Sequence, residues 1–293
     1  MRMALLLVLA LLSACQAPLP ALPVWQSPQG LAHAELGRII ELRSGAVLTP
    51  AQLVERLASA PRVLVGEQHD NPDHHALQLW LLRALAAQRP QGSLLLEMLN
   101  PDQQARVDQV RAALRAGQAP PDMLSALAWQ RGWAWSLYGP LLQHALRQPY
   151  PLLAANLDRG EIMQIYTRVP QLEGQAATAE PVREALLEQI RQSHCNLLPA
   201  SQLPAMLAVQ QQRDRRMAEA LLAAPVPSLL LAGAFHARSD LGVPLHLADL
   251  GAVSGTQVLL LAEVGSPVEV QAADYLWFTP AQPERDHCAS FRR

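Results

Sequence analysis

Four short stretches of the chain place proton-carrying or metal-ligating side chains directly after apolar runs. Gly66-Glu67-Gln68-His69 closes the run "RVLVG", and Glu97 closes "SLLLEM". Asn156-Leu157-Asp158-Arg159 follows "PLLAAN", and Gly233-Ala234-Phe235-His236 follows "SLLLAG". Two imidazoles and two carboxylates brought together can hold a divalent ion or pass protons to and from a substrate. The glycines let the backbone turn tightly and let a ligand come close. One such residue alone reads as a helix cap or a loop bridge, but four strand ends delivering them together point to a site. His74 and His75 open the next helical stretch, where the dipole and free N–H groups favour an anionic ligand.

The apolar runs supply the elements that would position these groups. They fall at 62–66, 93–98, 151–156, 228–233 and 257–264, and each is continuous rather than alternating. Continuous runs are expected of strands covered on both faces. Between them lie helical patterns. "TPAQLVERLASA" starts with Thr49 and Pro50, a favourable helix opening. "NPDHHALQLWLLRALAAQ" sets Leu77, Trp80, Leu81, Leu82 and Leu85 on one broad face. "EPVREALLEQIRQ" and "LPAMLAVQQQRDRRMAEALLAA" are helical as well. The alternation predicts an α/β fold with a mostly parallel sheet flanked by helices. In such sheets ligands gather at the carboxyl ends of the strands, where the four stretches lie. Helical insertions at about 100–150 and 170–205 are expected to form a smaller helical cap subdomain.

The chain has 293 residues, half of them hydrophobic, with 16% charged and a formal net charge of −2. That balance gives no electrostatic reason to expect nucleic acid. There is no lysine, so all 23 basic residues are arginine. Arg2 and the apolar "MALLLVLALL" read as a signal peptide too short to span a bilayer. The run ends in "LSAC", which resembles the lipobox of bacterial lipoproteins. On that resemblance residues 1–14 are the signal peptide and Cys15 carries the lipid. Residues 15–30 are then a Pro/Ala-rich tether, and 31–293 the folded part. Gln16 after the cysteine favours the outer membrane, facing the periplasm. In that oxidising compartment the remaining Cys195 and Cys288 are a candidate disulfide.

"GEQHDNPDHH", "LLLEM", "NLDRGEI", "HCNLLP", "QQQRDRRMA" and "GAFHARSDLGVP" resemble the motifs of the ChaN family of haem-binding uptake lipoproteins. That family lies in a wider superfamily with Tiki-type metalloproteases and erythromycin esterases. The resemblance implies an outer-membrane protein of haem and iron uptake. It also implies a homodimer with two cofacial haems at its interface. A tyrosine of one subunit would ligate ferric iron, and a histidine of the other would meet the propionates. A haem-uptake receptor is an expected partner. Tyrosinate is a hard anionic donor suited to ferric haem. Of the four tyrosines, Tyr138 in "GWAWSLYGPLL" has Trp133 and Trp135 beside it as walls for a porphyrin, and ranks first. Tyr166 ranks second, whereas Tyr150 and Tyr275 read as structural. His69, His74, His75, His236 and Arg159 are the expected haem contacts, Arg159 through propionate pairing.

The competing reading is a metal-dependent hydrolase, a peptidase or esterase, with Glu67, His69, Glu97 and His236 as divalent-metal ligands or acid–base groups. No Gly-x-Ser-x-Gly elbow occurs, which disfavours a serine hydrolase of the usual α/β type. No Cys-x-x-Cys-His occurs either, which disfavours covalently attached haem.

Overall fold

The computed structural model describes residues 18–252, 254–284, 286 and 288. The expected signal peptide and the expected lipidation site, Cys15, lie outside the described residues. In chain order the elements begin with β1 (Ile39–Glu41), β2 (Ala46–Leu48), α1 (Pro50–Ala58), β3 (Arg62–Glu67), α2 (Pro72–Ala86) and β4 (Ser93–Leu96). Next come α3 (Gln104–Arg115), α4 (Met123–Ala126), α5 (Trp135–Ala145), β5 (Leu152–Ala154) and α6 (Arg159–Thr167). The chain continues through α7 (Glu180–Ser193), α8 (Leu203–Ala223), β6 (Ser228–Gly233), α9 (Ala234–Ala237) and α10 (Val243–Asp249). It closes with β7 (Thr256–Glu263) and β8 (Tyr275–Thr279).

The eight strands form one sheet in the order β2-β1-β8-β7-β3-β6-β4-β5. β3 to β8 are mutually parallel, and β1 runs antiparallel to both of its neighbours. The expected mostly parallel α/β architecture is therefore present. Its apolar runs are continuous because both faces are buried. Val63, Val65, Leu94, Leu96, Leu229 and Leu231 face one core, shared with α1, α2, α3 and α5. Leu64, Leu95, Leu230, Val258 and Leu260 face the other, shared with α8, α9 and α10.

The helices between 100 and 150 are part of the main domain rather than a cap. Val107, Val110, Leu141, Leu142 and Ala145 sit in the same core as β3 and β4. Only the second insertion makes a satellite, in which Leu186 and Ile190 of α7 meet Leu203 and Leu207 of α8. The apolar faces of α3 and α5 are broad enough to join the sheet directly, and the absence of a strand run there does not separate them from it.

The tether also differs from expectation. Gln26 and Ser27 donate their N–H groups to the two carboxylate oxygens of Asp73, at 2.7 and 2.9 Å. The Trp80 indole donates to the Pro20 carbonyl at 2.9 Å. A Pro-rich segment lacks its own ladder, so its backbone groups find partners on α2 instead. The chain is thus docked from about Pro20 onward. The Cys195–Cys288 disulfide is formed, with Cα atoms 5.6 Å apart.

Candidate functional site

The parallel strands β3, β4 and β6 end side by side, and their register carries Glu67, Glu97 and Gly233 to one edge of the sheet. Two features of the chain allow this crowding. Gly66 lets α9 lie against β3; a Cβ there would come within 2.4 Å of Leu260 Cδ2 and 3.0 Å of Ala234 Cα. Gly233 makes room for His69, whose Nε2 lies 2.7 Å from where a Cβ would stand. A cleft of about 440 Å³ opens over this edge, lined by Glu67, Gln68, His69, Gly233, Phe235 and His236 on the sheet side. Gln189 and Ser193 of α7 and Gln210 of α8 form its other wall.

Two buried carboxylate–histidine groups form the floor. In the first, Glu67 Oε1 accepts from the Tyr138 hydroxyl at 2.5 Å and lies 2.9 Å from His69 Nδ1. His75 Nδ1 stands 3.1 Å from Glu67 Oε2, close enough for charge attraction but off the line of a hydrogen bond. His75 Nε2 donates to the His69 carbonyl at 3.0 Å. With a carbonyl at one nitrogen and a carboxylate at the other, the His75 ring is best served by two protons. Burial disfavours its charge, yet Glu67 prevails and its pKa is raised. Burial likewise works against the Glu67 carboxylate, but His75 and His69 hold it well below the usual range.

In the second group His236 Nδ1 lies 2.5 Å from Asp214 Oδ1, and its Nε2 lies 3.4 Å from Glu97 Oε1. Glu97 Oε2 accepts the Gly233 N–H at 2.7 Å. Burial opposes charge at His236, but Glu97 and Asp214 outweigh it and push the ring up to about 10. Glu97 is brought down to about 2, against burial, chiefly by His236. Burial keeps Asp214 high, at about 6, despite the ring beside it.

His69 is the member that opens outward. Its side chain is 42% exposed, Nδ1 is occupied by Glu67, and its ring meets Trp133 edge-on with centroids 4.9 Å apart. Burial lowers its basicity, but Glu67 and Glu97 together raise it. A histidine backed by a carboxylate, with its far nitrogen toward a cleft, can take or give a proton there.

Several predicted site residues take other roles than expected. Tyr138 is 1% exposed, packs among Trp129 and Trp133, and spends its hydroxyl on Glu67. Burial and then the Glu67 charge raise its pKa far above normal, the opposite of what an iron-bound tyrosinate needs. It is a support of the floor, not a surface ligand. His74 is fully buried; its Nδ1 accepts the Gln68 N–H and its Nε2 meets Thr279 Oγ1. Burial lowers it to about 3, so it is a neutral pin of the loop after β3 rather than an anion contact. His75 faces a carboxylate and cannot serve an anionic ligand. Asn156 donates to the Glu97 carbonyl at 2.9 Å and fixes the backbone of the β4 end. Arg159 begins α6, is exposed, and makes no contact with this cluster.

The donors of the proposed divalent-metal set are paired with one another. Among the described residues no group of three or more His, Cys, Asp or Glu is arranged to hold a metal ion. One partner escaped the strand-end reading altogether: Asp214 lies mid-helix in α8, one turn beyond Gln210. Both side chains address His236 Nδ1, and their i, i+4 spacing is the signal that could have revealed them.

The fold and site define an α/β protein with a polar cleft at a parallel strand edge. The family model described as haem-binding uptake, Tiki superfamily, ChaN matches residues 53–247. The chain belongs to this family. A solved structure described as cofacial heme binding to ChaN of Campylobacter jejuni is similar at 27% identity and a TM-score of 0.77, covering 87% of this chain and 98% of that one. The erythromycin esterase EreC in an open conformation is similar at 14% identity, over 90% of this chain and 85% of that one, with a TM-score of 0.48. No curated protein matches the chain.

Proposed function

We propose that this protein is an outer-membrane, periplasm-facing lipoprotein anchored at Cys15, which binds ferric haem for iron uptake between two copies of itself. The single observation that carries this reading is α6. None of its nine residues is buried, although Ile162, Met163, Ile165 and Tyr166 are among them. At 3.6 residues per turn, Arg159, Ile162, Met163 and Tyr166 share one stripe. The stripe runs from a cation, across apolar side chains, to a phenol about 10.5 Å along the helix. That sequence of groups suits an amphiphilic macrocycle with a metal centre and an anionic edge. Tyr166 is half-exposed and its hydroxyl makes no hydrogen bond among the described residues. It, rather than Tyr138, would hold the iron as phenolate, and Arg159 would meet a propionate. The Campylobacter relative described as binding cofacial haem supports a second copy over this face. A haem-uptake receptor would be the donor.

The test is hemin titration by visible spectroscopy with sedimentation. The wild type should give a stoichiometric shifted Soret band and a haem-dependent dimer. Tyr166→Phe should lose both, and Tyr138→Phe should keep both. An unchanged spectrum in Tyr166→Phe would sink the assignment.

A second reading is favoured by His69 itself, whose carboxylate-backed ring opens to the cleft as a general base for ester or peptide hydrolysis. Turnover of a chromogenic ester panel, lost in His69→Ala, would support it. No turnover across the panel would leave haem binding as the activity.

A further inference from the structure

The outer wall of the strand-end cleft is built differently from the rest of the fold. Gln189 and Ser193, which line it, belong to the last turns of α7. This helix packs against α8 through a small apolar cluster of its own, separate from the two cores on the sheet. The Gln189 side-chain oxygen is buried without a partner. A buried acceptor left unpaired disfavours the closed arrangement, because water would satisfy it if the wall moved outward.

One covalent link opposes that movement. Cys195 stands two residues beyond α7, and both it and Asn196 have left-handed backbones, with φ of 61° and 56°. Its disulfide partner, Cys288, comes from the chain after β8. β8 is parallel to β7 and β3, so it ends on the same sheet edge as the cleft. Gln282 is fastened there, its N–H on Glu263 Oε1 at 2.9 Å and its amide on Ser27 Oγ at 2.6 Å. Six residues then lead to Cys288, a reach of at most about 22 Å. The disulfide therefore ties the chain just beyond the wall helix, through a short tail, to the fixed edge of the sheet.

We propose that the Cys195–Cys288 bond is a removable strap that sets how far α7 closes over the strand-end cleft. A dithiol reductant opens it: two electrons and two protons pass to the bond, Cys195 and Cys288 become thiols, and the dithiol becomes its own disulfide. Reoxidation closes it. The device concerns the cleft and stands independently of the haem assignment on α6.

Amide hydrogen exchange read by mass spectrometry tests this on the full chain, folded oxidised and then reduced with dithiothreitol. Peptides over 186–193 should exchange about 10-fold faster after reduction, while those from β3 and β6 keep their rates. The double variant Cys195→Ser/Cys288→Ser should behave as reduced without reductant; the reduced wild type serves if that variant fails to fold. Unchanged α7 exchange would overturn the proposal. So would equal acceleration in β3 and β6, the signature of general destabilisation.

Discussion

The Tyr138 hydroxyl donates to Glu67 Oε1 across 2.5 Å, and the same oxygen holds His69 Nδ1 at 2.9 Å. A residue at the start of α5 and one at the end of β3, 71 positions apart, therefore fix a third. Tyr138 sets the pose of His69 without reaching the cleft. Tyr138→Phe leaves a buried carboxylate oxygen short of a donor. It should cost about 1–3 kcal/mol, read as a lower urea midpoint with an unchanged slope.

The His236 ring yields a pH dependence with a definite sign. Burial opposes its charge, but Glu97 and Asp214 raise its folded pKa to about 10 from 6.5. A raised histidine contributes fully below its unfolded pKa and loses that contribution as pH climbs through the folded one. The stability gap between wild type and His236→Gln should be widest near pH 6 and narrow steadily toward pH 10. Each tenfold gain in proton affinity on folding is worth about 1.4 kcal/mol. A gap that widened on the alkaline side would contradict the charge assignment.

Gly233→Ala probes the crowding at the sheet edge. The new methyl would stand 2.7 Å from His69 Nε2 and 2.9 Å from its Cε1. The half-exposed ring can swing away, so the fold should survive with a loss of about 1–3 kcal/mol. The informative signal is the His69 imidazole resonance, which should move and titrate nearer 6.5 once its grip on Glu67 is loosened. His246, on α10 and away from this edge, should titrate as in the wild type.

Asp73 holds the N-terminal segment, since both of its carboxylate oxygens accept backbone N–H groups from Gln26 and Ser27. Asp73→Ala should free that segment. Chymotrypsin should then cleave after Trp25 at least several-fold faster, with the rest of the domain still resistant.

Sequence reading reached the strand ends because parallel strands leave an unmistakable trace: aliphatic on both faces, then abruptly polar. Glu67, His69, Glu97 and His236 do converge. It did not reach their division of labour. Whether a histidine after β3 faces a cleft, as His69 does, or Thr279 of β8, as His74 does, depends on the turn that Asn71 caps. That turn is itself tied to Glu263 and Pro280, some 190 to 210 residues distant. Tyr138 misled for a similar reason. Tryptophan neighbours mark a core as readily as a porphyrin wall, and only burial tells them apart. The three-residue β1 and β2 carry too short a pattern to be seen, and the helices between 100 and 150 join the main core through contacts that local periodicity cannot report.

The docking of the chain at Pro20 has a consequence for the proposed lipid anchor. With lipid at Cys15, five Cα-to-Cα steps separate the anchor from the point where the Trp80 indole grips the backbone. Fully stretched, they span no more than about 18 Å. Such a leash does not let the domain roam. On the proposed anchoring, it would keep the body against the lipid headgroups and restrict which of its faces a visiting carrier of haem could approach.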